Sequence, residues 1–135
     1  MNGGFIAWRE LFWSAAGRVP RGAFLIGAGI VFGVSALYEA LAGPTIKLMT
    51  FWFMYPALWW AGACVVSKRL HDRGRSGWWA ALILLAVALV WPEPRPQWSV
   101  VAVPVLIWAL VELAILPGEQ GANRFGPSPL SPLAA

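Results

Sequence analysis

The sequence predicts an all-α fold: an integral membrane bundle of four transmembrane helices with a short amino-terminal interfacial helix. Three observations carry this. Hydrophobic residues make up 59% of the 135 and charged residues 12%, about half the charged share of a typical soluble protein. A soluble domain of this length has too much surface for its volume to hide so much apolar area. Ten residues are tryptophan, and indole concentrates at the membrane–water interface. The apolar runs alternate with short polar segments that hold every charge except Glu39 and Glu112. Such segments are too costly to leave in hydrocarbon.

The chain reads as a single membrane domain, 1–135. Residues 1–22 mix Phe5, Ile6, Trp8, Leu11, Phe12 and Trp13 with Arg9, Glu10 and Ser14, which predicts a helix lying in the interface. Gly17-Arg18-Val19-Pro20-Arg21 ends it and sets two cations before the first span. That span covers 23–42, long enough at about 30 Å to match the hydrocarbon core. Its Gly29 and Gly33 form a GxxxG pattern of the kind used in close helix contact. Ala40-Leu41-Ala42 imitates a signal-peptidase site, but the run is long for a signal peptide and Glu39 lies beside the supposed cut.

Gly43-Pro44 turns the chain into a second span, 48–67, which is dense in aromatics and contains Pro56. The third span, 76–91, is short, so it is either a thin crossing or a re-entrant segment. Tryptophans at both of its ends favour a crossing. Three prolines between 92 and 96 exclude helix there. The fourth span covers 98–116, and the tail 117–135, rich in Pro and Gly, predicts little regular structure.

Orientation follows from basic residues. With the amino terminus in the cytoplasm, that side holds Arg9, Arg18, Arg21, Lys68, Arg69, Arg73, Arg75 and Arg124, against Lys47 and Arg95 outside. The bias obeys the positive-inside rule and returns both termini to the cytoplasm. The net charge of +4 is then a topology and lipid-headgroup signal, and no nucleic-acid partner is expected.

The polar run Arg69-Leu70-His71-Asp72-Arg73-Gly74-Arg75-Ser76-Gly77-Trp78-Trp79 is the strongest candidate site. On this reading it forms a cytoplasmic loop. Arg69, Arg73 and Arg75, joined by Arg18, Arg21 and Arg124 on the same face, present guanidinium forks suited to a lipid phosphate. His71 beside Asp72 raises acid–base chemistry, although neighbouring side chains on a helix diverge. No nucleophile motif or metal-ligand set accompanies them, and no cofactor or metal is expected. Cys64 reads as a small buried hydrophobe. Glu112, near the inner end of span four, is expected to pair with Arg69, and Glu39 with Lys47.

Three segments resemble the small bacterial inner-membrane family called domain of unknown function 805. Gly17-Arg18 with Arg21 resembles its G-R-x-x-R. Residues 69–79 resemble its R-L-H-D-x-G-x-S-G-W-W. Gly121 with Asn123-Arg124-Phe125-Gly126-Pro127 and Pro129 resembles its G-x-N-R-F-G-x-x-P. Phe24 stands where the family often has Trp. The resemblance implies about four spans, no established activity, and motif positions at Arg18, Arg21, Arg69, His71, Asp72, Ser76, Gly77, Trp78, Asn123, Arg124 and Gly126. These fall on one membrane face, so a shared polar cluster is expected there, including Arg73, Arg75 and Glu112.

The expected role is non-enzymatic: a scaffold or binding protein whose arginines hold an anionic phospholipid or a protein partner. One alternative is an oligomeric small-solute or proton transport component, leaning on Pro56, Pro104 and the glutamates. Another is a lipid-headgroup enzyme using His71 and Asp72.

Overall fold

A computed structural model describes residues 8–129. The expected contribution of Phe5 and Ile6 to the first helix lies outside them, as does the tail beyond Pro129. The described residues are helical apart from turns and one isolated bridge, Asn123 with Gly126. The helices are α1 (Trp8–Trp13), α2 (Arg21–Leu41), α3 (Pro44–Asp72), α4 (Trp79–Val90) and α5 (Pro96–Ala109), which continues as a π-helical segment, Leu110–Ile115.

Three helical stretches are long and apolar enough to cross a membrane: α2, α3, and α5 with its π continuation. The apolar α4 has 12 residues, only about 18 Å of rise. The expectation of four spans therefore stands at three helices of spanning length and one shorter one.

The main correction concerns α3. Its 29 residues rise about 43 Å, some 13 Å beyond the hydrocarbon core. Lys68, Arg69, His71 and Asp72 lie on the last turns of this helix, not in a loop. Helix persists because its terminal carbonyls all find donors. The Arg75 amide bonds Leu70 O at 2.8 Å and the Gly74 amide bonds His71 O at 3.0 Å, a Schellman cap. It needs the left-handed φ of +74° that Gly74 supplies. The Val19 amide reaches Lys68 O, and the Glu119 amide reaches Asp72 O at 2.7 Å.

Buried hydrophobic side chains gather toward the basic end of the bundle, where Leu11, Phe24, Val65, Leu70, Ile83 and Leu113 meet. Gly27 lets Leu11 and Val65 close on α2: a Cβ there would stand 3.1 Å from Leu11 Cδ2 and 3.3 Å from Val65 Cγ1. Leu11 thereby ties α1 to the bundle. The indole of Trp60 donates to Trp13 O at 3.0 Å, and the Lys68 ammonium donates to Glu10 O. At the far end the Glu39–Lys47 pair forms at 2.8 Å.

Leu11→Ala is expected to cost about 2–5 kcal/mol, the range for truncating a buried leucine. Equilibrium unfolding in detergent, with Trp13→Ala at an exposed position as the control, checks this.

Candidate functional site

The carbonyls at the end of the π segment have no helical partner of their own. Three guanidinium groups supply one. Arg69 Nε donates to Leu113 O at 2.8 Å and its Nη2 to Leu116 O at 2.7 Å. Arg21 donates to Ile115 O at 2.6 Å, and Arg73 donates to Pro117 O. Cations at a helix carboxyl terminus also oppose its dipole. Arg69 is fully buried, so its donors have nowhere else to go.

The next layer is ionic. Asp72, one turn beyond Arg69 on α3, takes Arg69 on Oδ2 and Arg18 on Oδ1. Arg18 then reaches the tail, with Nη1 on Gly121 O at 2.8 Å and Gly126 O at 3.1 Å, and Nη2 on Glu119 O at 2.7 Å. Only 1% of the Arg18 side chain is exposed. Its planar fork reads two carboxylate contacts and three carbonyls at once, which a lysine cannot do.

The tail completes the lock. The Asn123 amide group donates to His71 O and to Glu119 Oε2, both at 2.9 Å, while its Oδ1 accepts the Phe125 amide. Phe125 stacks on His71 with centroids 3.9 Å apart and planes 8° from parallel, and the Arg124 guanidinium lies over the same ring at 4.6 Å. His71 Nδ1 lies 2.9 Å from Gly17 O. Gly118 presses so close to the carboxylate that a Cβ would stand 1.9 Å from Asp72 Oδ2.

Arg18, Arg21, Arg69, His71, Asp72, Asn123 and Arg124 thus lie in one assembly. Arg73, Arg75 and Glu112 form a satellite of it. Glu112 Oε1 accepts Arg75 Nε at 2.6 Å and Arg73 Nε at 3.2 Å, which corrects the expected Arg69–Glu112 pair. Depth along the helices matched those two residues, but Arg69 faces the π-segment carbonyls and Asp72, while Glu112 faces the turn after α3. Ser76 acts locally, its Oγ accepting the Trp78 amide at 3.3 Å. Trp78 is 83% exposed and stands outside the cluster, as an interface anchor does.

Two chemical expectations change with this geometry. Arg69 and Arg18 are enclosed and fully engaged within the chain, so neither is a clamp for an external phosphate. His71 and Asp72 hold different partners on different sides of the helix, so they form no acid–base couple. Among the described residues no group of three His, Cys, Asp or Glu side chains gathers where a metal ion could bind. Neither main cavity is lined by Glu112. Glu119 and the backbone carbonyls are the parts of the site that sequence reasoning missed. A lone glutamate in a Pro/Gly-rich tail carries no signal, and carbonyls carry none at all.

Fold and site together define a helical membrane protein whose basic end is locked by guanidinium groups on backbone carbonyls and on one shared carboxylate. The chain belongs to the family described as Protein of unknown function (DUF805), whose model matches residues 7–127. It is similar to the Uncharacterized protein YiiR of Escherichia coli strain K12, with 35% identity over 87% of each chain. It is also similar to the Inner membrane protein YhaH of the same strain, with 37% identity over 53% of this chain and 42% of that one. No solved structure matches it.

Removing the Arg69 guanidinium strands buried Asp72 and the two carbonyls. Arg69→Met is therefore expected to cost about 3–5 kcal/mol, whereas exposed Arg21→Met, losing one hydrogen bond, costs about 1 kcal/mol. Thermal unfolding of both variants in one detergent checks the ranking. Gly121 has φ +73° and open space around it, so Gly121→Ala pays only the left-handed strain of about 1–2 kcal/mol. Gly118→Ala must displace a carboxylate held by two arginines and is expected to lower the melting temperature further.

Proposed function

We propose that the chain is a non-enzymatic inner-membrane scaffold or binding protein whose basic face engages anionic phospholipid headgroups. In this proposal the basic end faces the cytoplasm with both termini, and α4 makes a short fourth crossing. The observation that carries it is the separation of charge. The basic end holds Arg9, Arg18, Arg21, Lys68, Arg69, Arg73, Arg75 and Arg124 against Glu10, Asp72, Glu112 and Glu119, while the far end balances Lys47 and Arg95 against Glu39 and Glu93. The whole surplus therefore sits on one face, where anionic headgroups attract it.

The inner arginines are engaged in the fold, so the contact falls to the outward ones. Arg21 and Arg124 are exposed, and the Arg75 side chain is 40% exposed. Exposed Trp78 supplies an anchor at the same depth. The name of the relative YhaH and the apolar helices support the inner-membrane assignment. A lock that presents a few solvent-facing guanidinium groups, each already held on one side by Ile115 O, Glu112 or the Phe125 ring, suits a docking platform for a membrane partner as well as for lipid.

Arg21→Gln, Arg75→Gln and Arg124→Gln are each expected to weaken retention of phosphatidylglycerol or cardiolipin about fivefold, since each cation near an anionic surface contributes about 1 kcal/mol. Native mass spectrometry of the purified full chain measures this. Unchanged retention across the three would leave the cations as topology signals alone.

A further inference from the structure

A second feature lies between α2 and α4 and runs from the core toward the far end of the molecule. Both α2 and α4 pack on α3, but not closely on each other. The gap between them is a cavity of about 230 Å³ floored by Leu58, Gly62 and Val66 and walled by Val31, Ser35 and Val87. The Phe32 and Trp91 rings, 5.3 Å apart, bridge the two walls. The space is far larger than the roughly 30 Å³ share of one water, and its apolar lining gives water too few partners to stay.

Shape and polarity identify the occupant. Along α2 the slot runs from Ala28 to Glu39, about 16 Å, half of the roughly 30 Å hydrocarbon core and ending close to the far end of the helix. Apart from Ser35, whose hydroxyl donates to Val31 O at 2.8 Å, its lining is apolar until the far end, where Glu39 and Tyr55 appear. There the Tyr55 hydroxyl donates to Glu39 Oε1 at 2.5 Å, and the Lys47 ammonium donates to Glu39 Oε2 at 2.8 Å. Tyr38 and Thr50 share a hydrogen bond of 2.7 Å beside them. Glu39 stands two residues before the end of α2 and Lys47 three residues into α3, which is headgroup depth. The Lys47 side chain is 31% exposed and that of Glu39 16%, so both charges are reachable from the surface.

We propose that this slot holds one acyl chain of a far-leaflet phospholipid whose headgroup carries both a phosphate and an ammonium. The chain fills a space whose lining otherwise lacks dispersion contacts. The phosphate meets Lys47 and the ammonium meets Glu39. This mouth is neutral overall, and so is the far end as a whole, so it offers an anionic lipid no advantage. The contrast with the basic end is complete, and the slot does not depend on the lipid contact proposed there.

The test is native mass spectrometry of the full chain taken from vesicles of equal parts phosphatidylethanolamine and phosphatidylglycerol. The expected result is one phosphatidylethanolamine retained by the slot, in addition to any phosphatidylglycerol held at the basic face. Gly62→Leu fills the slot, since a Cβ there already meets Leu84 Cδ2 at 3.7 Å and Val31 Cγ1 at 3.8 Å. It is expected to lower that retention about tenfold, a difference of about 1.4 kcal/mol. Ser35→Leu fills the same space from α2 and serves if Gly62→Leu does not give a monodisperse protein. Lys47→Met is expected to lower phosphatidylethanolamine retention while leaving phosphatidylglycerol retention unchanged. Val100→Leu, on the exposed face of α5, leaves retention unchanged. Arg75→Gln and Arg124→Gln also leave it unchanged, which separates the slot from the basic face. Absence of retained phosphatidylethanolamine on the unaltered chain, retention indifferent to both filling variants, or loss of phosphatidylethanolamine in the arginine variants overturns the proposal.

Discussion

The carboxylate of Asp72, held between Arg18 and Arg69, is the point from which the basic end is organised. Two guanidinium groups meet on one buried anion. Each then extends to carbonyls that would otherwise be unpaired, Arg69 to the end of the π segment and Arg18 to the tail. Buried charges are costly unless paired and fully hydrogen-bonded. The geometry meets that condition by linking three stretches of chain far apart in sequence: residues 17–21, 68–75 and 113–126.

This constraint explains the irregular features around it. A π-helical end gives α5 carbonyls that fall within reach of Arg69, Arg21 and Arg73, and irregular helix near a membrane face is tolerated when protein groups satisfy it. The long α3 carries its polar last turns out of the hydrocarbon and toward those partners. Gly74 and Gly118 each abut a carboxylate, Glu119 and Asp72 respectively, that occupies the space a side chain would need, and Gly74 also holds a left-handed backbone conformation. Residues 117–129 of the tail have almost no regular secondary structure, yet Arg18, Asn123 and the His71–Phe125 stack hold them in place.

The two ends of the bundle follow different physical logic. At the basic end most polar groups face one another and the outward surplus is positive. At the far end the charges balance, and the helices leave an apolar slot closed by a hydrogen-bonded carboxylate. Between them the core is made mostly of small and branched apolar side chains, with Phe24 among them, concentrated under the lock, while the outer faces of α2, α3 and α5 present large apolar residues suited to lipid.

Sequence by itself determined the class, the approximate positions of the helices and the end at which the cations collect, because hydrocarbon imposes a length on apolar runs and expels charge. It also determined the Glu39–Lys47 pair, whose members lie eight residues apart across a tight turn between α2 and α3. The tertiary structure alone decided which way each cation points. Arg69 and Arg75 look alike in a motif, yet one is enclosed on carbonyls and the other is partly free, because the direction of a side chain around its helix axis depends on the neighbours packed there. Guanidinium pairing with backbone carbonyls leaves no mark in sequence, since every residue carries the same carbonyl, and so the lock becomes visible only once the three segments are brought together.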